Sequence, residues 1–337
     1  MSSKHIASFL VLAAVSLSLA LFLLEPAASA KWKYFRAGNA ADSTATPRVG
    51  FALMGGGEQD PALRFLCERA NGGDFLILRA NTEDDYAQKV NEEMRAMCPL
   101  NSAATIVFSE REDSDDPKLI ERIVHAHAIF IAGGDQSNYV RFWQDTPVEN
   151  AINHHIASGK PIGGSSAGLA VLGEFCFSSM IDTIHSPDAL ADPYGNKVTI
   201  SRDFLHIPLL AGIITDTHFA KRDRMGRLVV FLARILQDGW AKHVRAIAVD
   251  EGAAVLLEPD GEAKVSGSGP AYFLEAKNSP EVCQRKTPLS FGGITVHRAP
   301  SGASFNVKDW KGSGGDDYQL SAVKGELKAL GSNHGIY

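Results

Sequence analysis

Short apolar runs alternate with amphipathic stretches through the first half of the chain. Val49 to Met54, Phe75 to Leu78, Ala104 to Phe108 and Ala128 to Ala132 each predict a buried strand. Helical signals lie between and after them. Thr82 caps a helix over 83–97, in which Tyr86, Val90 and Met94 recur at spacing four. Asp116-Pro117 opens a second helix, with cap and proline in their favoured first positions. Thr146-Pro147-Val148-Glu149 is a capping box for a third. Val148, Ile152, His155 and Ile156 form its apolar stripe, and Gly159 stops it. Strands alternating with helices predict a mostly parallel sheet covered on both faces. Ligands bind such sheets beyond the carboxyl ends of the strands. Gly55-Gly56-Gly57, Gly133-Gly134-Asp135-Gln136 and Gly164-Ser165-Ser166-Ala167-Gly168 all fall at such ends.

The second half is less regular. Residues 186–196 read as a loop. Ile213-Ile214-Thr215 is a short strand running into Asp216-Thr217-His218-Phe219. A helix follows over 223–237, with Met225, Leu228, Val229, Leu232 and Leu236 inward. Ala246 to Val249 is a further strand, ending in Asp250-Glu251-Gly252. Residues 253–275 and 289–308 alternate short strands with turns and predict a small antiparallel C-terminal extension. The stretch 311–337 is Gly-rich and polar. Residues 31–47 have no periodicity and read as a linker, so the folded domain is expected over 48–337.

The first thirty residues change the picture. Lys4 and His5 precede an apolar run from Ile6 to Leu24, then Glu25-Pro26 and Ala27-Ala28-Ser29-Ala30. That order describes a secretory signal peptide cleaved after Ala30, giving a secreted or periplasmic protein. The run is also long enough to span a bilayer, so an uncleaved membrane anchor is the competing reading. The 337-residue chain is 45% hydrophobic and 21% charged, which suits a folded core. Its net charge of −6, without a long basic run, argues against nucleic acid as a partner. Four cysteines, Cys67, Cys98, Cys176 and Cys283, show no C-x-x-C spacing and leave the disulfide pairings open. Cys176, in an apolar run, reads as a buried thiol.

Gly164 to Gly168 fits a G-x-S-x-G nucleophile elbow, in which Ser166 stands on a sharp bend between a strand and a helix. A serine hydroxyl needs a base within hydrogen-bond reach, and the base needs an orienting partner. His218, at the end of a short strand, is the candidate base; His185 is a weaker alternative, and His154 and His155 read as surface and packing residues. Glu251 is the candidate orienting acid; strand alternation points one of the pair Asp250-Glu251 away from the site, and a simple strand-end turn is the alternative reading. The backbone N–H groups of Ala167 and Gly134 are candidate oxyanion donors, each such group typically contributing ~3–4 kcal/mol. The glycine turn at 55–57 lacks a phosphate-binding signature and reads as close backbone approach. Lys221, Arg222, Arg224 and Arg227 crowd the start of the 223–237 helix, where cations oppose the helix dipole. They form either a solvated face or a pocket for substrate carboxylates.

Taken in order, Gly133-Gly134-Asp135-Gln136, Gly164-Ser165-Ser166-Ala167-Gly168, Asp216-Thr217-His218-Phe219 with Arg222, Arg224 and Arg227, and Asp250-Glu251 resemble the cyanophycinases, serine peptidases of the dipeptidase E type. The resemblance implies a three-layer α/β sandwich like the class I glutamine amidotransferases. It implies a Ser166, His218, Glu251 triad, an oxyanion site at Gly134 and Ala167, and a substrate site including Gln136, Asp216, Arg222, Arg224 and Arg227. It implies no metal or cofactor. Cyanophycinases degrade cyanophycin, a poly-aspartate whose side chains carry arginine in isopeptide linkage, and release β-aspartyl-arginine. The expected substrate is therefore a peptide or polyamide of that kind, and a homodimer is among the oligomeric states left open. Thr217 departs from the family's Asp-Gln-His-Phe and puts cyanophycin itself in question. A non-catalytic module binding carboxylate-rich peptides on the same fold is the alternative. An α/β-hydrolase esterase fits less well, because there the acid precedes the histidine.

Overall fold

The structure is a computed structural model and describes residues 31–57, 60–80 and 87–337. The leader-like segment, the Thr82 cap and Tyr86 lie outside the described residues.

The described residues contain eighteen strands and eight α-helices. In chain order the strands of the first half are β1 (Lys33–Gly38), β2 (Phe51–Met54), β3 (Asp74–Arg79), β4 (Ser102–Val107), β5 (Ala128–Ile131), β6 (Ile162–Ser165), β7 (Phe175–Phe177) and β8 (Ile200–Arg202). Those of the second half are β9 (Ile213–Asp216), β10 (Val244–Val249), β11 (Ala253–Leu257), β12 (Glu262–Gly267), β13 (Ala271–Ala276), β14 (Phe291–Ala299), β15 (Ser304–Asn306), β16 (Lys311–Ser313), β17 (Asp316–Val323) and β18 (Glu326–Leu330). The helices are α1 (Asp60–Arg69), α2 (Ala87–Met97), α3 (Pro117–His125), α4 (Gln136–Trp143), α5 (Pro147–Ala157), α6 (Ala167–Ala170), α7 (Ser186–Ala191) and α8 (Met225–Gln237).

The strands form two sheets. The first runs β1-β4-β3-β5-β6-β2-β11-β12-β15-β16, and its central strands from β4 to β2 are parallel. The second runs β18-β17-β14-β13-β10-β9-β7-β8, with β7, β9 and β10 parallel and its other pairings antiparallel. The architecture is α/β, as the alternating pattern predicts. The antiparallel C-terminal strands are present, but they divide between both sheets rather than standing apart.

Strand alternation explains the layering. Ala52 and Met54 of β2 pack with Leu66 of α1 and Met94 of α2 on one face of the first sheet. Leu53 points the other way, into a core with Leu119, Trp143 and Ile152 of α3–α5. Both faces of β2 are thus buried, as central parallel strands require. In β10, Ile247 and Val249 enter this same core, whereas Ala246 and Ala248 face Leu228, Leu232 and Ile235 of α8. The Asp116 and Thr146 caps form, the Asp116 side chain accepting from the Lys118 N–H and Thr146 from the Glu149 N–H, but the capping box does not close, because the Glu149 carboxylate takes the Asp145 N–H instead of that of Thr146.

Three expectations are corrected. Residues 33–38 of the supposed linker form β1, antiparallel to β4 at the edge of the first sheet. Tyr34 and Trp32 pack onto the core from there, which a polar average over 31–47 conceals. The domain therefore begins before residue 48. Within the region read as a loop, Ser186–Ala191 is a helix, short enough that three buried residues are its whole periodic signal. The polar tail contains β17, whose alternate residues Tyr318, Leu320 and Ala322 are buried, and β18 paired to it.

Cys67 and Cys98 form a disulfide between α1 and the residue after α2, while Cys176 and Cys283 are buried thiols. Burial pushes the Cys176 thiol up to about 12, so it is inert as a nucleophile. The bridge closes a loop with a sequence separation of 31. Chain-entropy arithmetic for a loop of that length gives about 3–4 kcal/mol. Reduction, or the double change Cys67→Ser with Cys98→Ser, is expected to lower stability by that amount in urea titrations. An unchanged midpoint would show that the bridge contributes nothing.

Candidate active site

Five strand ends meet at one place. Ser166 follows β6, His218 follows β9, Glu251 follows β10, Gly133-Gly134 follow β5 and Gly55–Gly57 follow β2. Ser166 sits at φ 53, ψ −117, an unfavourable conformation for a residue with a side chain. Such strain persists where the surroundings over-determine it, typically at functional sites. Two bonds hold the bend: the Ser166 N–H donates to the Met54 carbonyl, and its own carbonyl receives the Ala170 N–H to open α6. The two motif glycines let the elements close. A Cβ on Gly164 would lie 2.4 Å from the Gly168 backbone, and one on Gly168 would lie 2.0 Å from the Ile131 carbonyl oxygen.

Ser166 Oγ lies 2.7 Å from His218 Nε2, and His218 Nδ1 lies 2.8 Å from Glu251 Oε2. The serine hydroxyl donates to Nε2 when Nδ1–H donates to the carboxylate. His218 is itself at φ 45, and its N–H is bonded to the Gly55 carbonyl at 2.9 Å. Its ring lies against Gly56, where any Cβ would come within 2.2 Å of Cε1. The glycine turn thus provides close backbone approach, as read from the sequence. Asp250 turns away from the site and receives the Lys221 N–H. Burial is the main cause that lowers the His218 pKa below the usual imidazole value. The Glu251 hydrogen bond opposes it, and Arg222 and Arg224 lower it further. The His218 hydrogen bond holds the Glu251 carboxyl below its usual range. An imidazole so placed is neutral at pH 7, ready to accept a proton. A hydroxyl, a neutral imidazole and a carboxylate in line are what acyl transfer requires.

Ala167 is the first residue of α6, so its N–H has no intrahelical acceptor. The Gly133-Gly134 turn borders it: a Cβ on Gly133 would sit 3.5 Å from Ser166 Cβ. From there a groove of about 370 Å³ extends past Gln136, Arg141, Ile181, Arg222 and Arg224. Gln136 donates to the Phe177 carbonyl at 3.3 Å. Arg222 is exposed, and Arg224 is half-buried. The loop 178–183 that forms the groove's far wall carries no motif, and nothing in its sequence marked it. His154 is exposed; His155 is buried and bonded to the Pro161 carbonyl, and His185 precedes α7.

Two expected substrate residues are not at the surface. Asp216 and Arg227 are each 2% exposed and paired in a two-pronged contact: Nε donates to Oδ2 at 2.9 Å, and Nη2 donates to Oδ1. The Arg227 guanidinium also faces the ring of Phe177 at 4.9 Å. Their helix and strand positions point both into the core between β9 and α8, so they support the site from behind. Thr217 is corrected in the same way. It is 3% exposed, and its hydroxyl accepts from Arg224 Nη1 at 3.0 Å, so it holds an arginine and does not face substrate.

The comparisons bear on this geometry. Residues 75–197, which include Ser166, match the model of peptidase family S51. A cyanophycinase from Synechococcus elongatus is 25% identical over 272 residues, covering 77% of this chain and 80% of that one. Another from Trichormus variabilis is 26% identical over 230 residues, covering 65% and 68%. The solved structure of a peptidase from an acI-B1 Actinobacterium shares the fold at TM-score 0.52, with 16% identity, over 77% of this chain and 97% of that one. The α/β architecture expected from the sequence agrees with that likeness. The family match and the cyanophycinase relatives support a serine-type peptidase. The chain is similar to the cyanophycinases along most of its length and, over residues 75–197, to peptidase family S51.

Proposed function

We propose that the protein is an exported serine peptidase that hydrolyses β-aspartyl polymers or peptides, of the isopeptide-linked Asp-Arg class, through Ser166, His218 and Glu251. One observation carries the reading: the unbroken line from Ser166 Oγ through the His218 ring to Glu251, at 2.7 and 2.8 Å. Ser166 Oγ attacks the scissile carbonyl carbon while its proton passes to His218 Nε2. The oxyanion takes the N–H groups of Ala167 and Gly134. Collapse expels the amine, which receives the proton from His218, and leaves an ester on Ser166. Water, deprotonated by the same imidazole, then releases the acid. Glu251 fixes the ring tautomer and stabilises the imidazolium.

Gln136, Arg222 and Arg224 are assigned to substrate binding, the two arginines facing carboxylates of the polymer. The cyanophycinase relatives support that substrate class. The leader-like first thirty residues and the Cys67–Cys98 disulfide support export, since disulfides persist in oxidising compartments. The test is incubation of the purified protein with cyanophycin and a panel of β-aspartyl dipeptides, with products identified by mass spectrometry. Release of β-aspartyl-arginine is expected. Labelling of Ser166 by a fluorophosphonate, without turnover of any panel member, would move the substrate class elsewhere; absence of labelling would favour the non-catalytic module.

Arg222→Gln supplies a pH test. Arg222 disfavours the protonated form of His218, so its removal raises the imidazole pKa. The neutral ring is the base, so the acid limb of the Ser166 labelling rate is expected to move to higher pH. A limb that stays in place, or moves down, contradicts this electrostatic assignment.

A further inference from the structure

The segment carrying His218, Arg222 and Arg224 is poorly suited, by its own sequence, to the shape it adopts. His218 and Asp223 are both non-glycine residues at positive φ, 45 and 48. Each such residue is strained, and the surroundings must hold it in place. The helix that follows is also uncapped locally: Arg224 at the N-cap position makes no side-chain cap bond, and a cation there opposes the dipole. The missing cap comes from far along the chain. The Tyr337 hydroxyl receives the Met225 N–H at 2.8 Å and donates to Asp223 Oδ1 at 2.7 Å. Its ring packs edge-on against Phe219, the neighbour of His218, at 5.9 Å, and against Tyr272 at 6.1 Å. On the opposite side, the Ser186 hydroxyl donates to the Asp223 carbonyl and receives the Arg227 N–H at 3.2 Å. Asp223 is therefore gripped through its side chain by Tyr337 and through its backbone by Ser186.

We propose that Tyr337 is a positioning residue for the active site: by supplying the cap of α8 and clamping Asp223, it sets the place of the 218–224 segment and thus of His218, Arg222 and Arg224. This rests on the reading of Ser166 and His218 as catalytic. Tyr337 touches no reacting atom. It acts through a rigid path of two hydrogen bonds and the Phe219 ring, ending at the imidazole on one branch and at the two arginines on the other. The groups facing the imidazole are Glu251 from the end of β10 and Arg222 and Arg224 from the segment itself. Loosening the segment moves the imidazole and the arginines together relative to Glu251, which stays on its own strand end. A structural role alone would change stability and leave the chemistry of the folded protein intact.

The experiment measures fluorophosphonate labelling of Ser166 against pH at 25 °C in the full-length protein, because labelling needs no knowledge of substrate. Tyr337→Phe keeps the ring and removes both hydrogen bonds. The expected result is a labelling rate lower by about 5–20-fold, as small misplacements of catalytic groups produce, with an acid limb displaced from its wild-type position as the ring shifts against Glu251 and the arginines. Asp223→Ala, which removes the same acceptor, is expected to reproduce both changes. Asp223→Asn, which keeps an acceptor oxygen, is expected to restore most of the rate. If Tyr337→Phe and Asp223→Ala lower the melting temperature but leave rate and limb unchanged, Tyr337 is merely structural and the inference is overturned. If either variant fails to fold while the other folds with an unchanged profile, the inference is overturned equally. If the wild-type protein itself is not labelled, the catalytic reading of Ser166 fails instead, so the two failures are distinguishable.

Discussion

Replacing Ser166 by alanine is expected to lower kcat by roughly 10⁴–10⁶-fold while leaving the fold intact. The size follows from the covalent route: without Oγ no acyl-enzyme forms, and His218 and Glu251 have nothing to activate. Residues acting as a unit are not additive, so His218→Ala is expected to cost a similar factor, and the double variant little more. Some rate above the uncatalysed reaction is expected to remain, because the proposed oxyanion donors at Ala167 and Gly134 are untouched. The fold survives because the change deletes one atom at a partly exposed position. The bonds that hold the bend, from the Ser166 N–H to Met54 and from Ala170 to the Ser166 carbonyl, are backbone bonds that alanine retains. The measurement is the initial rate of product release together with a melting curve. A loss below tenfold with an unchanged melting temperature would mean that Ser166 is not the nucleophile, however well its hydroxyl meets His218.

Much of this site was legible because its chemistry is bound to local pattern. The elbow announces itself through Gly164 and Gly168, which the strand-to-helix closure demands. His218 and Glu251 stand out as polar residues at the ends of apolar strands, where a parallel sheet gathers its functional groups. The cap at Thr146 and the two-sided burial of β2 follow equally from short-range rules. Other features depend on what lies across the fold. The strand at 33–38 exists because β4 offers an edge, and no periodicity within a polar stretch discloses that. The charge cluster at 221–227 could be found by eye but not divided. Arg222 remains exposed, Arg224 is held by the Thr217 hydroxyl, and Arg227 is drawn inward because helix periodicity places it beneath Arg224 beside Asp216. Thr217 looked like an altered substrate contact, since only the packing of β9 reveals that its side chain faces an arginine. Tyr337 was invisible as a site residue, because its partners, Met225 and Asp223, are 112 and 114 residues away.

Arg227→Met is expected to destabilise the protein by about 3–5 kcal/mol, lowering the melting temperature by roughly 6–10 °C. The reason is the charge left behind. Asp216 lies in the core between β9 and α8, and the Arg227 fork provides two of its hydrogen bonds. Its remaining partners are the Thr217 N–H at 2.8 Å and Arg224 Nη1 at 3.6 Å, too few to satisfy a desolvated carboxylate. Arg227→Lys keeps the charge but not the fork, and a lysine cannot face Phe177 with a planar group, so an intermediate loss is expected. Pairing Arg227→Met with Asp216→Leu removes both charges and is expected to recover most of the stability, since a buried ion pair and a well-packed apolar pair are often equivalent. Activity is expected to part company with stability in that double variant: Arg224 loses its contact with Asp216, and KM rises even where the melting temperature is restored. The competing assignment of Arg227 to a substrate carboxylate makes the opposite forecast. It requires Arg227→Met to raise KM sharply at nearly unchanged stability, and that result would sink the structural role assigned here to the Asp216–Arg227 pair.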